Sequence, residues 1–134
     1  MDFDLSTAPR SAAAQTERPV FVLVESNPII AKDMVGILEL SCECRVVHVS
    51  DADALLDAAP QMPKITAAFL EIGVTEFLGS EVENLLNHHG AEIILTKGES
   101  LQSEAQERGW HMLIRPFTEQ MLRDLLNEMR ISLQ

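Results

Sequence analysis

Residues 20–40 read VFVLVESNPIIAKDMVGILEL. The run Val20–Val24 is apolar without interruption and rich in branched side chains, the pattern of a strand covered on both faces. Glu25 and Ser26 end it, and Asn27-Pro28 follows, a side-chain acceptor at a helix cap with proline at the first helical position. Beyond the cap, Ile30, Met34, Ile37 and Leu38 recur at helical spacing. This stretch therefore spells strand, short polar turn, helix.

The same phrase repeats along the chain. Arg45–Val49, Thr66–Leu70, Glu92–Leu95 and Met112–Ile114 read as further strands, each bounded by turn or cap residues. Helical spacing appears between them at Leu55 and Leu56, then at Val82, Leu85 and Leu86, and last at Met121, Leu122, Leu125, Leu126 and Met129. A fourth helix around Leu101–Glu107 (LQSEAQE) is short and polar, with Leu101 and Ala105 as its apolar positions, so it is expected to be the most weakly anchored. Ser50-Asp51, Ser80 and Thr118-Glu119 mark helix starts, and Gly90 and Gly109 mark helix ends. Alternating strands and helices predict an α/β chain, a three-layer sandwich around a five-stranded parallel sheet with helical, right-handed crossovers.

Composition bounds the function. The 134 residues suit one domain, and 46% hydrophobic with 23% charged residues is an ordinary globular mix. MDFDLSTAPRSAAAQTER lacks periodicity and is expected to be a tail over 1–18, leaving a domain over 19–134; its early acids and missing apolar core exclude a secretory signal. Against 21 Asp+Glu stand 10 Lys+Arg, a net charge of −11, which argues against nucleic acid and anionic membrane as partners. No apolar run approaches the ~18–20 residues of a membrane helix. The two cysteines, Cys42 and Cys44, stand too close together to staple distant parts of the chain, so a reducing cytoplasm is the expected compartment. Cys42, Cys44 and His48 fall short of a zinc ligand set, and burial of the thiols is the favoured reading.

In a parallel sheet of this kind, functional residues gather where the strands end at their carboxyl edge. Those positions are Glu25, Ser26, Glu71, Thr96 and Arg115, each directly after an apolar run. Strand, acid-Ser-Asn-Pro, strand-borne carboxylate, strand-borne Thr and Arg115-Pro116-Phe117-Thr118 together resemble the CheY-like receiver domain of two-component response regulators, from Val20 to about Arg130. The resemblance implies a flavodoxin-like (βα)5 fold with strand order 2-1-3-4-5.

In that family the third-strand carboxylate is an Asp that takes a phosphoryl group from a sensor kinase, with Mg²⁺ held by it and an acidic residue of the pair after the first strand. A Lys and a Thr or Ser grip the phosphoryl oxygens. Here Glu71 stands at the phospho-acceptor position, Ser26 replaces the second acid of the pair, and Arg115 replaces the Lys, while Glu25 and Thr96 remain. Glu carries its carboxylate one methylene farther out, and a misplacement of ~1 Å costs on the order of 100-fold in a positioned reaction. Loss of a carboxylate at position 26 weakens any Mg²⁺ site built on Glu25 and Glu71, so no cofactor is expected beyond weak Mg²⁺. Arg115 is suited to a bidentate grip on Glu71.

The implied protein is a non-enzymatic receiver-like signalling domain, not phosphorylated at Glu71, whose partner is a sensor kinase or a downstream signalling protein. Its usual aromatic switch position holds Met112, with Trp110 two residues earlier, so an on-state mimicked by Glu71 is not implied. Since no output domain follows Gln134, the expected form is a stand-alone adaptor or a fragment of a longer protein. Apolar residues of the last helix, with Ile131 and Leu133, make the 101–131 face the expected site of a homodimer or partner, against plain core packing. Two alternatives stay open: a phosphorylation-competent receiver using Glu71, Ser26 or Thr96, and a flavodoxin-like small-molecule binder, for which VESNP lacks a Gly-rich cradle. His88-His89 reads as a favourable helix end, and Lys97 as a solvated side chain.

Overall fold

The structure, a computed structural model, describes residues 18–97, 102–113 and 117–129. Its strands are β1 (Val20–Val24), β2 (Arg45–Val49), β3 (Ala67–Leu70), β4 (Glu92–Leu95) and β5 (His111–Met112). They pair in parallel in the order β2-β1-β3-β4-β5, the topology expected of a flavodoxin-like sandwich. The helices are α1 (Pro28–Ser41), α2 (Ala52–Ala58), α3 (Glu81–His89), α4 (Gln102–Glu107) and α5 (Glu119–Glu128).

Side chains along each strand alternate between the two faces of the sheet, and the core divides accordingly. Phe21, Leu23, Ala67, Phe69 and Ile94 pack with Met34 and Leu38 of α1 and Leu122, Leu125 and Leu126 of α5. Val22, Val24, Ala68, Leu70, Ile93 and Leu95 face the other way, onto Leu55 of α2, Leu86 of α3 and Ala105 of α4. β3 is buried throughout and β1 from Phe21 onward, whereas β2 at the edge is exposed at Arg45 and His48. Burial on both faces is why β1 and β3 are apolar at every position.

Local chemistry sets the helix ends. Asn27 Oδ1 accepts the Ile29 N–H at 2.9 Å, Asp51 Oδ1 the Ala54 N–H at 2.8 Å, Ser80 Oγ the Glu83 N–H at 3.1 Å and Thr118 Oγ1 the Met121 N–H at 3.2 Å. Gly90 ends α3 at φ 67°, a left-handed backbone that favours glycine.

Several expectations shift. β3 begins at Ala67; Thr66, expected within it, still works at its entry, where its Oγ1 accepts the Val20 N–H at 3.0 Å. β5 is His111–Met112 instead of Met112–Ile114, with Ile114 outside the described residues. A helical turn, Val74–Phe77, and a 3-10 turn, Ala59–Gln61, were absent from the sequence reading; both are too short to show a helical period. On the last helix Leu122, Leu125 and Leu126 are buried in the core, and among its described residues the exposed large apolar side chain is Met121. Leu101, Ile131 and Leu133 lie outside the described residues.

Candidate functional site

The register puts the candidate residues side by side. Val24 pairs with Leu70, and Leu70 with Leu95, so Glu25, Glu71 and Thr96 each stand one residue past the end of three adjacent strands. The ladder runs on through them: the Glu71 N–H donates to the Val24 carbonyl at 3.0 Å and the Thr96 N–H to the Leu70 carbonyl at 2.8 Å. Parallel neighbours lie about 4.8 Å apart, so the three backbones form one row at the carboxyl edge. Glu25 and Thr96 are buried, at 1% and 0% exposure, even though both are polar.

Burying a carboxylate demands hydrogen bonds to it, and the β1–α1 turn supplies them. Glu25 Oε2 accepts the Asn27 N–H at 3.0 Å. Its backbone is tied to the edge strand, with the N–H donating to the Val49 carbonyl at 3.1 Å and the carbonyl 2.9 Å from His48 Nε2. The contact to a carbonyl requires the proton on Nε2, which gives His48 a structural task that its lone place in sequence did not disclose.

Ser26 supplies the central contact. Its hydroxyl donates to Glu71 Oε1 at 2.8 Å, and its backbone N–H donates to the same oxygen at 2.9 Å. Consecutive donors of the turn are thus committed, Ser26 to Glu71, Asn27 to Glu25, then Ile29 and Ile30 to Asn27 Oδ1. N–H groups at the start of a helix ordinarily form a ready anion site. Here the anion is the protein's own Glu71. Arg115, expected to pair with Glu71, lies outside the described residues, as does Pro116.

In sequence Ser26 stands out only as a lost metal ligand, and its part as a donor to Glu71 emerges from the fold. A hydroxyl standing where an acid would repel Glu71 is the signal that would have found the pair. Glu25 and Glu71 are the carboxylates a cation would use at this edge; each already accepts donors from the β1–α1 turn, and no group of three metal-ligating side chains occurs among the described residues.

Other singled-out residues find structural places. Both cysteine Sγ atoms donate to the Leu38 carbonyl, from 3.7 and 3.5 Å, and both side chains are buried. Burial, with Cys42 alongside, pushes the Cys44 thiol up to about 12. Trp110 is buried edge-to-face on Phe77 at 4.9 Å between ring centres, with the Arg108 guanidinium 5.7 Å from its ring. His111 Nε2 meets Glu92 Oε1 at 3.0 Å, and Lys97 is exposed. His89, expected to serve as a favourable helix end, does stand in the last turn of α3 and also accepts the Ile65 N–H on Nδ1 at 3.2 Å. No helix among the described residues is long and apolar enough to cross a membrane.

No family model matches the chain, and no curated protein matches it in sequence. Its shape is similar to solved structures. A response regulator receiver protein from Burkholderia phymatum superposes with a TM-score of 0.68 at 17% identity, covering 87% of this chain and 98% of that one. The signal receiver domain of an HD domain-containing protein from Pseudomonas fluorescens Pf-5 gives 0.62 at 18% identity, covering 85% and 98%. A protein from Burkholderia pseudomallei described as pilus assembly-related gives 0.62 at 12% identity, covering 82% and 87%. The fold is that of a CheY-like receiver domain.

Proposed function

We propose that this domain is a receiver-type signalling module of the two-component kind that acts by binding a protein partner, a sensor kinase or a downstream signalling protein, and that is not switched by phosphoryl transfer to Glu71. The observation that carries the reading is the pair of donors from Ser26 on Glu71 Oε1. A carboxylate attacks phosphorus through a lone pair, and donors on that oxygen hold electron density back and fix its direction. The longer Glu side chain adds a misplacement on top.

The residues at this edge do not fit Mg²⁺ well. The ion favours near-octahedral oxygens with several charged ligands, whereas Ser26 brings a neutral hydroxyl already turned toward Glu71. Mg²⁺ is at most weakly held. On this reading the domain works by presenting its surface to a partner in the cytoplasm. Incubation with radiolabelled acetyl phosphate and Mg²⁺ is expected to leave the protein unlabelled. Stable label that disappears in Glu71→Ala would overturn the proposal.

A further inference from the structure

At the opposite edge of the sheet, where β3 and β4 begin, a groove of about 710 Å³ lies between α2 with its 3-10 turn and α3. Leu56, Met62 and Leu85 give it an apolar floor, and Lys64, His88 and His89 bring its polar heads. Among the described residues no Asp or Glu lines it, in a protein whose net charge is −11. We propose that this groove binds a small amphipathic organic anion, with the apolar body on Leu56, Met62 and Leu85 and the anionic head at Lys64 and His89.

Three features support that ligand class. The Ile65 N–H donates to His89 Nδ1 at 3.2 Å, so the neutral ring carries its proton on Nε2 and has a donor left to offer. Pro60 and Pro63 line the groove and stiffen its wall, which lowers the ordering cost of binding. The volume falls within the ~300–1,000 Å³ of small-molecule sites, and a mixed lining with few polar heads is the usual make-up of such sites. A neutral ligand would leave Lys64 unused, and a purely ionic one would leave the floor wet.

The test is amide chemical-shift perturbation of the full chain with octanoate as the probe, and octan-1-ol and acetate as partial probes. Octanoate is expected to produce saturable shifts at Leu56, Ile65, Leu85 and His88, and both partial probes to bind at least about tenfold more weakly, a loss of ~1.4 kcal/mol or more. Lys64→Glu, at an exposed side chain, should abolish the shifts while the rest of the spectrum is unchanged, and Lys64→Arg should keep them. Shifts that do not saturate by about 10 mM octanoate, equal binding of octan-1-ol, or full binding by Lys64→Glu would each overturn the assignment.

Discussion

Ser26 and Glu71, separated by 45 residues, meet through one carboxylate oxygen that takes both the hydroxyl and the backbone N–H of the serine. With Arg115, these are positions where the resemblance to a receiver implies other residues, and the serine and the glutamate complement each other. An acid at position 26 would set two carboxylates against each other, a repulsion that a divalent cation ordinarily relieves. A serine removes the repulsion and turns it into attraction.

Removing the hydroxyl tests that account. Ser26→Ala keeps the backbone donor and loses the other, and a hydrogen bond to a half-exposed carboxylate is worth about 1 kcal/mol. A drop of roughly 4 °C in Tm is expected for a domain of this size, read by thermal denaturation. Ser26→Asp should fall further, since it replaces attraction with repulsion, and Mg²⁺ should restore part of that loss. An unchanged Tm in both variants would show that the contact contributes nothing.

Restoring the acids should restore the chemistry. In Ser26→Asp combined with Glu71→Asp, a shortened carboxylate at position 71 faces an acidic pair at 25 and 26, the donor set that suits a divalent cation. The double variant is expected to bind Mg²⁺ measurably by calorimetry and to take label from acetyl phosphate, with each single variant well below it. Failure of the double variant to bind Mg²⁺ would mean that other features of this edge, beyond those two residues, bar the cation.

The fold was legible because its determinants are local. Inner strands buried on both faces cannot hide their apolar runs, and Asn27, Asp51, Ser80 and Thr118 announce helix starts by side-chain chemistry spanning two or three residues. β5 begins one residue before its predicted start, because two residues paired on one side carry little pattern. At the site, strand ends named Glu25, Glu71 and Thr96, and the register then aligned them. What the sequence could not convey was which side chains meet across tens of residues: Ser26 with Glu71, His48 with the Glu25 carbonyl, and His89 with the Ile65 N–H.

The cap at Asn27 should couple the site to stability. Its side chain accepts from Ile29 and Ile30 and so fixes the first turn of α1, the same turn that aims Ser26 at Glu71. Asn27→Ala is expected to cost about 1 kcal/mol, and Asn27→Asp to be nearly neutral as a cap. Denaturant unfolding of the two variants reads the difference, and equal losses would point to the added charge beside Glu25 as the dominant effect.

Trp110 is the natural probe of the sheet's far face. Stacked edge-to-face on Phe77 and buried, it should emit at short wavelength in the native state and shift to the red on unfolding. Trp110→Ala should cost about 3–5 kcal/mol, the range for deleting a buried aromatic side chain. A native emission already like that of tryptophan in water would contradict the packing.

The paired thiols give the domain an alkaline limit. Cys44 is raised from 9.0 to about 12 by burial and by its neighbour Cys42, so the folded state holds the proton through a pH range in which the unfolded chain has lost it. The unfolded state then binds fewer protons than the native one, and the stability of the fold decreases as pH rises from about 9 toward 12, with no contribution to the slope below that window. Cys42 is shifted in the same direction, again chiefly by burial. The chain has no tyrosine, which removes one other group that titrates in this window. Urea unfolding between about pH 9 and pH 11 should therefore show a falling midpoint in the wild type and a flatter profile in Cys44→Ala, whose neutral side chain has no proton to lose. Identical slopes in the two proteins would mean that the Cys44 thiol ionises as readily in the fold as in water, at odds with its place against the Leu38 carbonyl.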